Sequence, residues 1–310
     1  MPRKKKVKRA ILIGLALFLL LLVGDYWLYP VLPVGGRSHD KGENGLWLRY
    51  TWYFGEEKDF TGLAKRLQEG GIRNAYFHVR FINRDGGLHF RYPQSAIALN
   101  KAVKELCPGV RRVAWIYVDT AGVDLSQQNV RSKMVKEAAW LLSDCGFDGI
   151  QWDYEICPDG DRNFLKLLEE SRKALPSTFL SVAAPTMQKW PLQSLGWSEG
   201  YIRQVSEHID EIATMGYDTG QYLPRLYVDH LQWNLEAFSR SVRKGCKVMA
   251  GIPTYGPGLF SHNPRAESIV ISLKAMRNVD WPSNASGVAL FADYTTDEEE
   301  WATYRRLWRK

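Results

Sequence analysis

Phe147-Asp148-Gly149-Ile150-Gln151-Trp152-Asp153-Tyr154-Glu155 ends in six residues that alternate apolar and polar. A period of two is the pattern of a β-strand. Gln151, Asp153 and Glu155 then share one face, with successive members ~7 Å apart, and Ile150, Trp152 and Tyr154 share the other. In a closed barrel the apolar set would face surrounding helices and the polar set the interior. Three polar groups converging on one axis are costly unless they bond one another or a ligand. Glu155 closes the run, which puts it at the end of the strand where barrel enzymes keep their active sites. On the residues alone, a solvated loop of acids, a self-satisfied polar plug and a magnesium or calcium site stay open. No His flanks the run, however, and no full ligand set lies nearby, so no metal is expected.

Working outward, short β-rich runs occur at 46–52, 74–79, 110–118, 149–154, 179–184, 211–215, 247–252 and 287–291. Amphipathic stretches separate them, among them 60–68, 132–142, 163–175 and a last helix at 298–308. In 132–142 the spacing predicts Val135, Ala138, Ala139 and Leu142 on one buried face. Eight strands, each followed by a helix over roughly 260 residues, is the arithmetic of an α/β fold of the (β/α)₈ TIM-barrel type. An open doubly wound sheet would want a glycine-rich turn after its first strand, and GEEKDF at that place offers none. Residues 46–310 leave no room for a second folded domain. The 12 Trp and 15 Tyr suit either core packing or the aromatic faces against which sugars stack.

The 310 residues carry a net charge of +7, which at first suggests nucleic acid. Arg3, Lys4, Lys5, Lys6, Lys8 and Arg9 account for nearly all of it, whereas a nucleic-acid binder spreads its charge over a docking face. The cluster precedes an uncharged run, Ala10–Gly24, and then Tyr26, Trp27 and Tyr29. Basic residues on the cytoplasmic side and aromatics at the interface are the flanks of a membrane span, although ~20 apolar residues is the usual length. The expected organisation is a basic cytoplasmic segment (1–9), a transmembrane signal anchor (10–29), a Pro/Gly-rich linker (30–45) and the barrel (46–310). The barrel then lies outside the cytoplasm. A cleaved signal peptide is the alternative, secreting the domain, but Leu22-Val23-Gly24-Asp25 is a poor cleavage site.

DGIQWDYE resembles the DGxDxDxE signature of glycoside hydrolase family 18, the chitinases and endo-β-N-acetylglucosaminidases. The likeness continues in register through SVAAPT (181–186), MGYD (215–218), GIPTYG (251–256) and GVALFADY (287–294). It implies retaining, substrate-assisted hydrolysis of an N-acetylhexosamine-containing glycan (chitin-type oligomer, peptidoglycan or N-glycan), with no cofactor. By that resemblance Glu155 is the general acid and the acetamide oxygen of the substrate is the nucleophile. Asp153 orients the acetamide and stabilises the oxazolinium charge. Tyr217 bonds the acetamide oxygen, and Asp218 and Met215 belong to the motif that holds the sugar. Three positions depart from the pattern: Gln151 replaces the middle aspartate, Phe291 stands where a Trp floors the subsite, and AWIYVDT lacks an S-x-G-G turn. The rival expectation is an inactive chitinase-like lectin on the same fold. Trp190, after the fifth strand, is a candidate for lining a sugar subsite.

The remaining signals are bland. His78, His89, His208, His230 and His262 show no metal or triad spacing, and Asp119 and Asp124 read as loop acids. Cys107 and Cys145 each end a helix and could bridge, while buried free thiols are the simpler expectation for all four cysteines.

Overall fold

The computed structural model describes residues 2–189, 196–256 and 261–309. Eight strands, β1 (Asn44–Leu48), β2 (Ile72–Phe81), β3 (Arg111–Asp119), β4 (Gly149–Glu155), β5 (Phe179–Pro185), β6 (Glu211–Met215), β7 (Lys247–Pro253) and β8 (Ala285–Phe291), pair in chain order. All pairs are parallel, and β8 closes onto β1. Each lies within a few residues of its expected position. The first run ends at Leu48, because 50–54 coil into a short helix.

The helices are α1 (Pro2–Leu28), α2 (Tyr50–Phe54), α3 (Phe60–Glu69), α4 (Pro93–Leu106), α5 (Gln128–Ser143), α6 (Arg162–Ala174), α7 (Glu199–Ser206), α8 (Pro224–Ser241), α9 (Ile269–Arg277) and α10 (Glu298–Leu307). Their starts are written locally. Asp59, Asp161, Ser198 and Ser268 each accept a backbone N–H of the first turn, and Asp297 forms a reciprocal capping box with Glu300. On α5 the buried stripe is Val130, Met134, Val135, Ala138 and Leu141, while Ala139 and Leu142 are only half-buried. The expected face is therefore rotated toward 134 and 141, because the helix begins four residues earlier and packs along its whole length.

Apolar burial forms two shells. The larger lies between strands and helices and takes Ile150, Trp152 and Tyr154 from β4. The smaller fills the barrel itself with Trp47, Tyr76, Val113, Trp115, Ala213, Met249 and Ala289. Large and small residues must alternate there. A Cβ on Gly45 would lie 2.8 Å from the Ala289 Cβ and 2.9 Å from the Tyr76 ring, so the absence of a side chain at 45 admits Tyr76.

Helix α1 belongs to a segment, Lys6–Val31, long and apolar enough to cross a membrane and unburied by the rest of the chain. The end of this helix and the residues after it lie along the barrel. Asp25 pairs with Arg225 at 2.9 Å, Arg265 lies 4.0 Å over Trp27, and Lys274 donates to the Pro30 carbonyl at 3.2 Å. Arg277 then binds the Gly36 carbonyl at 2.8 Å. All four cysteines, Cys107 and Cys145 included, are buried free thiols.

Candidate active site

Strand β4 delivers its polar face to the barrel axis. Gln151 sits deepest, fully buried, accepting the Trp47 indole N–H at 2.8 Å and donating to Ser181 Oγ at 3.1 Å. Both ends of its amide are thereby engaged one layer beneath the mouth. Asp153, 2% exposed, accepts the Trp115 indole N–H on Oδ2 at 2.7 Å, and its Oδ1 is buried with no hydrogen-bond partner. Glu155 lies at the half-buried strand end.

Burial, and after it the charge of Glu155, holds the Asp153 carboxyl well above its ordinary value, against the opposing Trp115 hydrogen bond. Burial raises Glu155 as well; its interaction with the neighbouring Asp153 carboxyl opposes this and the Asp218 charge adds to it. Two carboxyls this close and this poorly hydrated keep a proton at a pH where separate acids would lose it. That is the condition of a general acid paired with a charge stabiliser.

The turn after β6 brings the MGYD residues over this pair. A cleft of 290 Å³ opens at the C-terminal mouth, lined by Glu155, Met215, Tyr217 and Asp218 together with Thr186 and Gln188. The Tyr217 hydroxyl is raised well above its ordinary value by burial and then by the charges of Asp153 and Glu155, so it stays a donor. Its ring stacks on Phe291 at 4.4 Å. Phe291 is also edge-on to Trp47, Trp115 and Tyr255 at 5.8, 6.1 and 6.0 Å, which makes it the centre of an aromatic floor. Trp190 lies outside the described residues.

Asp218 adopts a left-handed backbone (φ +52) and keeps a buried Oδ1 without a hydrogen bond. Possible ligand atoms of Asp218, His262 and Glu267 lie within 4.8 Å of one another. His262 Nδ1 is already 3.2 Å from Glu267 Oε2, and Glu267 Oε1 takes the Thr219 N–H and hydroxyl at 3.0 and 2.6 Å. Glu267 thus braces the loop after β6 with both oxygens engaged, while Asp218 Oδ1 and His262 Nε2 are buried without partners.

Sequence reasoning passes over Trp47 and Trp115 although a signal exists, since each occupies an inward position of its own strand. Their indole N–H groups orient the polar face of β4. His262 and Glu267 come from an irregular segment with no periodicity to announce them.

Residues 122–308 match the family model of glycosyl hydrolases family 18. No curated protein matches the chain by sequence. Among solved structures, the spore cortex-lytic enzyme SleL of Bacillus cereus superposes with TM-score 0.63 at 13% identity, over 90% of this chain and 76% of that one. The Group IV chitinase of Ostrinia furnacalis gives 0.61 at 13% identity, over 86% and 100% of the two chains. A chitinase of Chromobacterium violaceum gives 0.58 at 17% identity, over 84% and 98%. At such identities these three likenesses speak for the fold.

Proposed function

The chain belongs to glycosyl hydrolases family 18, and from that premise we propose that this glycoside hydrolase is a membrane-tethered, retaining enzyme that cuts N-acetylhexosamine glycans by substrate-assisted catalysis. In the first step Glu155 gives its proton to the leaving glycosidic oxygen as the C1–O bond breaks. The acetamide carbonyl oxygen of the same sugar bonds to C1 from the opposite face, forming an oxazolinium ion. Asp153 orients the acetamide N–H and offsets the developing positive charge, while the Tyr217 hydroxyl donates to the acetamide oxygen. In the second step the Glu155 carboxylate takes a proton from water as that water attacks C1 and the bond from C1 to the acetamide oxygen breaks, which restores the acetamide and leaves the configuration retained. Asp218 and Met215 hold the sugar over Phe291, and Gln151 positions Trp47 beneath them.

The observation that carries this reading is the pairing of Glu155, its acidity weakened by burial, with a buried Asp153 that has one oxygen unpaired. That vacant acceptor is where an acetamide N–H would bond. The N-terminal helix supports a tether with the barrel on the extracytoplasmic side, next to envelope glycans.

The test uses the full chain in detergent and its Glu155→Gln variant, given N-acetylglucosamine oligomers, peptidoglycan and an N-glycoprotein, with products read by mass spectrometry. Cleavage by the parent and a loss of at least about 10³-fold in the variant is expected. A second reading, a glycan-binding protein, draws on Gln151, an amide held between Trp47 and Ser181 that cannot exchange a proton with Asp153. Binding without cleavage by the parent would select it.

A further inference from the structure

On the β1–β2 side of the barrel mouth, two guanidinium groups stand without an anion among the described residues. Arg49 lies just past the end of β1, two residues beyond the inward Trp47, and Arg80 lies near the end of β2, two residues beyond His78, so the C-terminal ends of the two neighbouring strands bring them to the rim. Their charged carbons lie 5.4 and 4.6 Å from the same Tyr50 ring, and Arg49 is 5.5 Å from the Tyr294 ring. Other arginines of the fold find acceptors, Arg112 and Arg131 in the carboxylates of Asp148 and Glu170, and Arg243 and Arg277 in backbone carbonyls. Neither Arg49 nor Arg80 has an ion-pair partner among the described residues.

The local structure spends conformational freedom to keep this arrangement. Between His78, opposite Trp115, and Phe81, opposite Tyr117, β2 carries one residue more than β3. Arg80 lies in that bulge at φ +74, a region unfavourable for a side chain of its kind. Its Nε is buried without a hydrogen bond, and so is Nε2 of His78. Unpaired buried donors and two like charges over one ring are unfavourable until an anion joins them. His78 also stacks on Trp115 at 4.1 Å, the same indole whose N–H holds Asp153. The basic rim and the catalytic pair therefore share one aromatic wall.

We propose that Arg49 and Arg80 form a subsite for a carboxylate on a sugar unit neighbouring the one that is cleaved, which makes the substrate an acidic N-acetylhexosamine polymer. The proposal rests on the hydrolase reading above for its substrate class. His78, pushed down to about 3 by burial and then by Arg80, contributes a neutral nitrogen for a sugar hydroxyl rather than a third charge.

Binding is measured with the full chain carrying Glu155→Gln, in detergent, so that bound glycan is not cut. The probes are peptide-free strands of alternating N-acetylglucosamine and N-acetylmuramic acid, and the same strands with their carboxylates converted to methylamides. Acidic strands should bind about tenfold more tightly than the amidated ones, and added salt should erase the gap. Adding Arg49→Gln and Arg80→Gln should remove the preference while leaving affinity for amidated strands in place; a matching thermal transition shows that the fold is intact. Equal affinity for both strands, or a parallel loss for both in the arginine variant, overturns the subsite. Hydrolysis by the parent chain is scored separately. Cleavage of neutral oligomers with no preference for acidic strands would leave the hydrolase standing and remove only the subsite.

Discussion

Two buried carboxylates sit inside this barrel, Glu211 in register with Gln151 and Asp153 two residues further along β4, and they are treated in opposite ways. At the bottom, Glu211 at the start of β6 accepts Tyr76 Oη at 2.6 Å and Ser181 Oγ at 3.3 Å on one oxygen, and Asn74 Nδ2 at 2.8 Å on the other. At the top, Asp153 has one indole donor and a vacant oxygen. Both lie beside aromatic rings and both are held above the ordinary carboxylate range by burial. A carboxylate whose acceptors are all filled is closing the interior. One left half-satisfied beside a second acid has its remaining capacity reserved for something that arrives later. Burial alone does not separate the two; hydrogen-bond completeness does.

The sharpest way to break this contrast is to neutralise each in turn. Asp153→Asn should cut kcat about 10²–10³-fold, since charge stabilisation at the transition state is lost. The folded state should be no less stable at neutral pH, because an unfavourably buried charge is removed. Glu211→Gln should do the reverse, keeping kcat within a few-fold and lowering stability by about 1–2 kcal/mol at acid pH as an acceptor is lost. Chemical denaturation and steady-state kinetics on the two variants check the pair. A kcat collapse in Glu211→Gln would refute the division of roles.

The pH dependence of stability sharpens it. Glu211 is raised to about 7, with burial as the main cause and its donors and Arg111 opposing. A carboxyl with a raised folded value binds its proton more tightly when folded, so its contribution is full below the unfolded value near 4.5 and is lost as pH rises through about 7. The stability advantage of the parent over Glu211→Gln should therefore fall by up to about 3 kcal/mol from about pH 4 to about pH 8. A pH-independent difference would mean that Glu211 is ionised in the fold.

The smallest effect belongs to the support of Asp153. Trp115→Phe removes the indole N–H that favours the ionised carboxyl and keeps most of the ring. Asp153 should become harder to ionise, so the acid limb of the kcat profile should move to higher pH with a few-fold loss at the optimum. An unchanged acid limb would show that the 2.7 Å bond does not tune the pair.

Much of this architecture is legible in the sequence. The six-residue alternation ending at Glu155 sets β4 and divides its side chains correctly between helices and axis, because a strand has only two faces. Strand and helix spacing locates most elements to within a few residues. The face of α5 is misplaced at Ala139 and Leu142, since a window of eleven residues cannot show where a sixteen-residue helix centres its contact. Extending the alternation to the first and third strands finds Trp47 and Trp115. The bulge that carries Arg80 stays hidden, because one extra residue shows only against the strand it pairs with.

By itself, the sequence determined the strand and helix pattern, the family motifs and the apolar N-terminal segment. Those depend on periodicity and local propensity, which neighbours along the chain express directly. Only the tertiary structure decided that Gln151 is sealed beneath the cleft, that Asp153 keeps an unpaired oxygen, and that Arg49 and Arg80 meet over Tyr50. Each of these depends on which donors distant strands bring to one point inside the barrel, and a buried polar group is defined by the partners it has and those it lacks.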